Sequence, residues 1–266
     1  MTQEISWPWC VATRLTSAWR AITRSSRNDI PIHWQKVAAI TIGFLLAFGL
    51  TMVFLDVKAI IAARDLPAGV VAVAREVTEF GKVGWFLVPL GVLFTVVCCA
   101  PSNLPRPVEA VLAAIFARVG FLFLAISVPY AVNAALKQMI GRARPFVGGS
   151  PNAYLFHPFS WGPAHASLPS NHATTAGAAA IAIGALFPRA RAILWIYAAL
   201  IMISRVVVIA HHPSDVLAGA LVGTVGALMV RNYFASRRIV FGVAPDGKVE
   251  AFANPSWRRL KTTLGR

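Results

Sequence analysis

Two histidines, a carboxylate and an arginine stand close together in the stretch Ser204-Arg205-Val-Val-Val-Ile-Ala-His211-His212-Pro213-Ser214-Asp215, and Asp215 is the only carboxylate between Glu109 and Asp246. Histidine exchanges protons or attacks as a nucleophile near neutral pH, and a neighbouring carboxylate selects its tautomer. Arg205 lies inside an apolar run. A charge at membrane depth costs on the order of a few kcal/mol unless it faces a polar cavity or a partner, so Arg205 is a functional candidate by default. A solvated interfacial loop would accommodate the same residues. On an ideal helix His212 shares the Arg205 face and His211 does not, so spacing alone leaves the choice between them open.

Two further groups carry related chemistry. Lys137-Gln-Met-Ile-Gly-Arg-Ala-Arg144-Pro145 closes an apolar run. A helix continued to Arg144 would put Lys137 and Arg144 on one face, two turns apart, with Arg142 about 140° away and Pro145 ending the helix. Two cations on one face suit an anion with several oxygens, and arginine adds bidentate geometry; snorkelling toward lipid headgroups would use them equally well. Leu168-Pro169-Ser170-Asn171-His172 opens the next apolar run as a helix N-terminus, with Ser170 or Asn171 as its cap. Capping needs no further function. Yet the free N–H groups and positive dipole end at such a terminus form an anion site, and His172 stands there to protonate a leaving oxygen. Arg205 completes a three-cation clamp. Pro213 marks the end of one helix, and Asp215 begins the next within reach of a histidine ring.

Membrane-embedded helices must position these groups. The chain has 266 residues, 57% of them hydrophobic and 13% charged, with a mean hydropathy of +0.65. That composition excludes a soluble globule and fits a membrane bundle. Apolar runs cover Val37–Leu55, Val83–Ala100, Val119–Leu136, Ala173–Phe187, Ile193–Ala210 and Val216–Val230. Several fall short of the ~20 residues that cross a bilayer, so their ends extend into the flanks. The expectation is an all-α bundle of six transmembrane helices over 37–232, with 1–36 and 233–266 as cytoplasmic segments and both termini on one side. Of the 25 lysines and arginines, only Lys58, Arg64, Arg75, Lys82, Lys137, Arg142, Arg144 and Arg205 then fall outside, in keeping with the positive-inside rule. The basic residues are spread over span ends instead of forming one basic face, which argues against a nucleic-acid partner. All the histidines except His33 lie on the outer side.

The first apolar run starts after residue 36 and is long enough to anchor, so no cleavable leader is expected. Residues Ile5–Arg27 mix Trp7, Trp9, Leu15 and Trp19 with arginines; a helix on the membrane surface and an unstructured tail both fit. After Arg231 a short hairpin is expected around Asp246-Gly247. The three cysteines and scattered carboxylates offer neither zinc nor magnesium spacing, so chemistry without a metal or other cofactor is expected. The last three spans are rich in alanine and glycine (Gly219, Gly223, Gly226), which permits close helix packing. The loop Phe146–Ala166 carries Phe146, Tyr154, Phe156, Phe159 and Trp161 and should lie near the headgroups.

Together these residues resemble the type 2 phosphatidic acid phosphatase family, which shares its active site with vanadium haloperoxidases. That family carries Lys-x6-Arg-Pro, Pro-Ser-Gly-His and Ser-Arg-x5-His-x3-Asp. Here the same order reads Lys137-x6-Arg144-Pro145, Pro169-Ser170-Asn171-His172 and Ser204-Arg205-x5-His211-x3-Asp215. The resemblance implies a six-span membrane enzyme that hydrolyses a lipid phosphate without metal. His211 would attack phosphorus to form a phosphohistidine, Asp215 would orient His211, and His172 would protonate the leaving oxygen and then activate water. Lys137, Arg144, Ser170, Asn171 and Arg205 would hold the phosphoryl oxygens. The family spacing selects His211 over His212. Asn171 stands where the family has Gly; it gives up cheap access to positive φ, and its amide would add a donor or narrow the pocket.

The substrates the resemblance implies are lipid A 1-phosphate, phosphatidylglycerophosphate, phosphatidic acid and undecaprenyl diphosphate, met at the outer face of a bacterial inner membrane. Two rivals use the same residues: a phosphotransferase delivering the phosphoryl group to another lipid, and an anion or lipid transporter. A transporter predicts broken helices near mid-membrane, whereas these charges gather at one face.

Overall fold

The computed structural model describes residues 7–27, 30, 34–101 and 104–253. Among the described residues the α-helices are α1 (Trp7–Thr23), α2 (Trp34–Leu50), α3 (Asp56–Arg64), α4 (Ala68–Glu79), α5 (Gly84–Cys98), α6 (Arg106–Ile140), α7 (Asn171–Leu186), α8 (Arg191–Val207) and α9 (Pro213–Ser236). A π-helical segment, Thr51–Leu55, joins α2 to α3. Among the described residues, five stretches are long and apolar enough to cross a membrane: Trp34–Arg64, Ala68–Cys98, Arg106–Ile140, Pro188–Val207 and Pro213–Ser236. As expected, each extends beyond its apolar run. The remaining run, Ala173–Phe187, forms α7, whose 16 residues rise only about 24 Å. It is an interior helix: Ala173, Ala176, Ala178, Ala179 and Ala182 are fully buried.

The chain divides into two compact units. The one formed by 32–86 and 125–228 holds every site residue named above. Its core includes Ala176 and Ala180 of α7 packed with Ala198 and Ile201 of α8. α7 also lies hard against α9. A Cβ on Gly219 would collide with the Ser170 carbonyl oxygen, and one on Gly223 with that of Thr174. Only glycine allows two backbones this close, which is the packing use expected of these small residues.

The other unit comprises 1–31, 87–124 and 229–266. Here α1 is a formed helix over Trp7–Thr23, which speaks against an unstructured tail there; Ile5 lies outside the described residues. Arg14 donates to the carbonyls of Val97 and of Pro101 (2.9 Å for the latter), and Tyr233 Oη and Arg237 Nε donate to Ile22 O at 3.0 and 2.8 Å. The expected hairpin is β1 (Phe241–Val243) paired antiparallel with β2 (Val249–Ala251), turning at Gly247 with φ +80°. Phe241 and Phe234 pack edge-on against Phe121, with centroids 4.7 and 5.5 Å away. The rest of the C-terminal tail, 254–266, lies outside the described residues.

Candidate active site

The cations reach the site by a different route from the helix extension expected. α6 stops at Ile140, and Gly141 takes φ +62° with its N–H on Lys137 O at 3.0 Å. This is the left-handed glycine stop of a helix. Lys137 and Arg144 therefore share no helical face. Arg144 arrives on the following loop, its N–H bonded to Ala164 O at 2.8 Å, Nε to Pro163 O at 3.1 Å and Nη1 to Ala210 O at 3.2 Å. Lys137, 5% exposed, donates to Ala166 O at 2.8 Å. Both cations thus rest on carbonyls of the 163–166 segment or its neighbour Ala210, a weak arrangement for a full charge compared with an anion.

The N-terminus of α7 is built as the sequence led us to expect. Ser170 is its N-cap residue but makes no side-chain cap bond. The first helical bond runs from Thr174 N–H to Ser170 O, so the N–H groups of Asn171, His172 and Ala173 have no acceptor within the helix. Ser170 Oγ is buried without a partner among the described residues. Asn171 begins the helix and is not among the residues with positive φ. The conformational cost expected for replacing glycine therefore does not arise. Its amide oxygen instead accepts from Asn133 Nδ2 at 2.6 Å, and Asn133 Oδ1 accepts from Thr174 Oγ1 at 2.9 Å.

α8 ends at Val207, earlier than Pro213 led us to expect. Ile209 N–H bonds to Val206 O, Ala210 N–H bonds to Arg205 O, and Ile209 has φ +55°. This is a Schellman stop with a β-branched residue where glycine is usual, a conformation costly for isoleucine. It turns the chain so that His211 and His212 precede α9, both fully buried. Helical spacing from Arg205 therefore does not apply to either ring. Arg205, on the last turn of α8, donates from Nη1 to Thr78 Oγ1 at 2.6 Å, while its Nε is buried without a partner among the described residues.

Asp215, in the first turn of α9, is completely buried. Its Oδ2 accepts from Ser167 Oγ at 2.6 Å and from the His212 N–H at 2.9 Å. It lies 3.4 Å from His212 Nδ1 and 3.8 Å from His211 Nδ1. Burial pushes His211 down to about 3, Asp215 opposing the shift, so its ring is neutral at physiological pH. The Ser170 N–H bonds to Asp215 O at 3.0 Å and Arg144 Nη1 to Ala210 O at 3.2 Å, which brings the three motifs together.

Three contributors escaped the sequence reading. Arg142 is fully buried and pairs with Asp215 Oδ1 at 2.6 Å and Asp56 Oδ2 at 2.7 Å. Asp56, from the first apolar helix, also accepts from the Ser214 N–H at 2.9 Å. Ser167 lies beside His211. A signal for Asp56 was present, since a carboxylate at the end of an apolar span is a functional candidate. Ser167 carried none. In the loop between α6 and α7, Tyr154, Phe159 and Trp161 are exposed, Trp161 by 82%. Among the described residues no group of three or more histidine, cysteine or carboxylate side chains gathers to hold a metal.

Residues 118–239 match the family model of the PAP2 superfamily. A lipid A 1-phosphatase from Rhizobium etli is 34% identical over 219 residues, covering 82% of this chain and 92% of the relative. A second lipid A 1-phosphatase, from Rhizobium johnstonii, is 33% identical over 234 residues, covering 88% and 93%. Among solved structures, a transmembrane PAP2-type phosphatidylglycerolphosphate phosphatase from Bacillus subtilis shares the fold, with a TM-score of 0.51 at 18% identity over 72% of this chain and 94% of that one.

Proposed function

This chain belongs to the PAP2 superfamily, and on that premise we propose that it hydrolyses the phosphate of a membrane lipid, lipid A 1-phosphate first among the candidates. The observation that carries the reading is the pair of orphan donors at the site. Among the described residues Ser170 Oγ and Arg205 Nε are buried without partners, and a bound phosphoryl group would supply the oxygens they lack. The free N–H groups of α7 point to the same chemistry. Preference for lipid A rests on two relatives of that activity that match more than four fifths of the chain.

The residues divide the work as follows. Lys137, Arg144, Arg205, Ser170 and the Asn171 N–H hold the phosphoryl oxygens and stabilise charge in the transition state. Neutral His211 attacks phosphorus through Nε2; the P–O bond to the lipid breaks, and His172 gives its proton to the departing oxygen. His172, now a base, takes a proton from water. That water attacks the phosphohistidine, freeing inorganic phosphate and restoring His211. Asp215 stabilises the positive charge His211 acquires.

We place this site at the outer face of a bacterial inner membrane. Residues 37–232 form the catalytic span region, α7 completes a sixth crossing, and 1–36 and 233–266 face the cytoplasm. The test is phosphate release by the purified chain from lipid A 1-phosphate, phosphatidylglycerophosphate, phosphatidic acid and undecaprenyl diphosphate, each with EDTA. Release from lipid A 1-phosphate, undiminished by EDTA, is expected. Transfer to a second lipid without free phosphate would make the chain a phosphotransferase; flux across proteoliposomes without hydrolysis would make it a transporter. His211→Asn should lower kcat by at least about 10³-fold, and His212→Asn far less. The reverse order would move the nucleophile to His212.

A further inference from the structure

We propose that Ser167, Arg142 and Asp56 are positioning residues that aim His211 at phosphorus: Ser167 links Asp215 to the ring, and the Asp56–Arg142 pair holds the other side of Asp215. The inference rests on the reading of His211 as the nucleophile.

Distances decide how Asp215 reaches the ring. From Asp215 Oδ2 to His211 Nδ1 is 3.8 Å, too far for a hydrogen bond. Ser167 Oγ lies between them, 2.6 Å from Oδ2 and 3.4 Å from Nδ1. A hydroxyl has one proton and two lone pairs. The short bond to the carboxylate uses the proton, so toward His211 the hydroxyl only accepts. That requires the imidazole proton on Nδ1 and leaves the Nε2 lone pair free for attack. The second distance is long, as catalytic hydrogen bonds often are before substrate tightens them.

Arg142 belongs to the same arrangement and not to the phosphate clamp. Its Nε donates to Ala153 O at 3.0 Å, Nη1 to Ser214 Oγ at 2.7 Å and Asp215 Oδ1 at 2.6 Å, and Nη2 to Asp56 Oδ2 at 2.7 Å and Ala153 O at 2.8 Å. A guanidinium has five N–H donors, and all are committed, in contrast to the free Nε of Arg205. The Arg142 carbonyl also accepts the Ser167 N–H at 3.0 Å, so one residue fixes both the carboxylate and the hydroxyl that relays it. Asp56 completes the frame from the far side. The π-helical segment Thr51–Leu55 ends on it, its N–H bonding back to Thr51 O. Its carboxylate takes Arg142, the Ser214 N–H at 2.9 Å and the Ser214 hydroxyl at 2.5 Å. It thereby ties the first turn of α9, where Asp215 sits, to the first membrane helix.

The test compares Ser167→Ala, Ser167→Thr, Asp56→Asn and His211→Asn by steady-state kinetics on lipid A 1-phosphate and by trapping of an acid-labile phosphoenzyme under alkaline quench. Ser167→Ala is expected to lower kcat by about 10- to 100-fold, the cost of a misaimed reacting group, with KM within about twofold and slower phosphoenzyme formation. Ser167→Thr keeps the hydroxyl and recovers most of the rate. Asp56→Asn, with its thermal midpoint near that of wild type, lowers kcat about tenfold at unchanged KM. Wild-type kcat in Ser167→Ala, equal losses in the alanine and threonine variants, or an Asp56→Asn effect confined to KM would each overturn the proposal. If Asp56→Asn does not fold, the Ser167 pair decides. If His211→Asn still forms phosphoenzyme and turns over, the nucleophile assignment itself has failed.

Discussion

Four residues, Arg142, Ser167, His211 and His212, make hydrogen bonds or ion contacts with the Asp215 carboxylate, and His211 depends on how those contacts are shared. Burial leaves that ring neutral in the native state down to about 3, against 6.5 ordinarily. Between those values the unfolded chain binds a proton that the native chain refuses, so stability is whole above about 6.5 and falls as pH drops toward 3. The thermal midpoint of the detergent-solubilised protein should fall across that window, and His211→Asn should flatten the fall. Asn171 gives a second prediction. Because it is helical and bonded to Asn133 at 2.6 Å, Asn171→Gly loses that bond and gains helix-entropy cost, about 1–2 kcal/mol together. A lower thermal midpoint with kcat/KM within about threefold is expected; a large gain in activity would mean that the amide obstructs the phosphate instead. Motif spacing singled out the proposed phosphate ligands at this scale. Arg142 was not distinguishable from Arg144 by type, because what separates them is the set of acceptors, Asp56, Asp215, Ser214 and the Ala153 carbonyl, that together take every donor of one.

Helix ends place the chemistry. Lys137 precedes the Gly141 stop of α6, Ser170 caps α7, Arg205 precedes the Ile209 stop of α8, and Asp215 lies in the first turn of α9. Starts were readable from Pro-Ser-Asn and, to within two residues, from Asp215, whereas Pro213, read as the end of a helix, opens α9. Stops were harder. Gly141 carried the usual signal in a motif that also offered a longer helix, and an isoleucine at a left-handed stop carries no signal at all. Contact between α7 and α9 sets the distance from His172 to Asp215. Gly223→Leu, whose side chain would meet the Thr174 carbonyl, should lose about 1–3 kcal/mol to overpacking and most activity, read as a lowered thermal midpoint and kcat. Normal values for both would show that the two helices can separate without consequence.

Over the whole molecule, five described stretches reach crossing length and α7 does not, so the sidedness of the termini depends on α7. With a sixth crossing, the aromatic loop and the C-terminal hairpin lie on opposite sides. A single cysteine replacing Trp161, in a chain with Cys10, Cys98 and Cys99 changed to alanine, should react with an impermeant maleimide in intact spheroplasts. A cysteine replacing Asp246 should react only after permeabilisation. Labelling of both in intact spheroplasts would leave the termini on opposite sides.

The sequence by itself determined the membrane class, the helical segments and the three motifs of the proposed phosphate site, because hydropathy, capping residues and motif spacing are local properties of the chain. Tertiary structure alone decided that Arg142 is spent on Asp56 and Asp215, that Ser167 stands between Asp215 and His211, and that Asn171 keeps an ordinary helical backbone. Those outcomes join residues separated by as many as 86 positions, and which buried donor meets which acceptor is settled only when the helices pack.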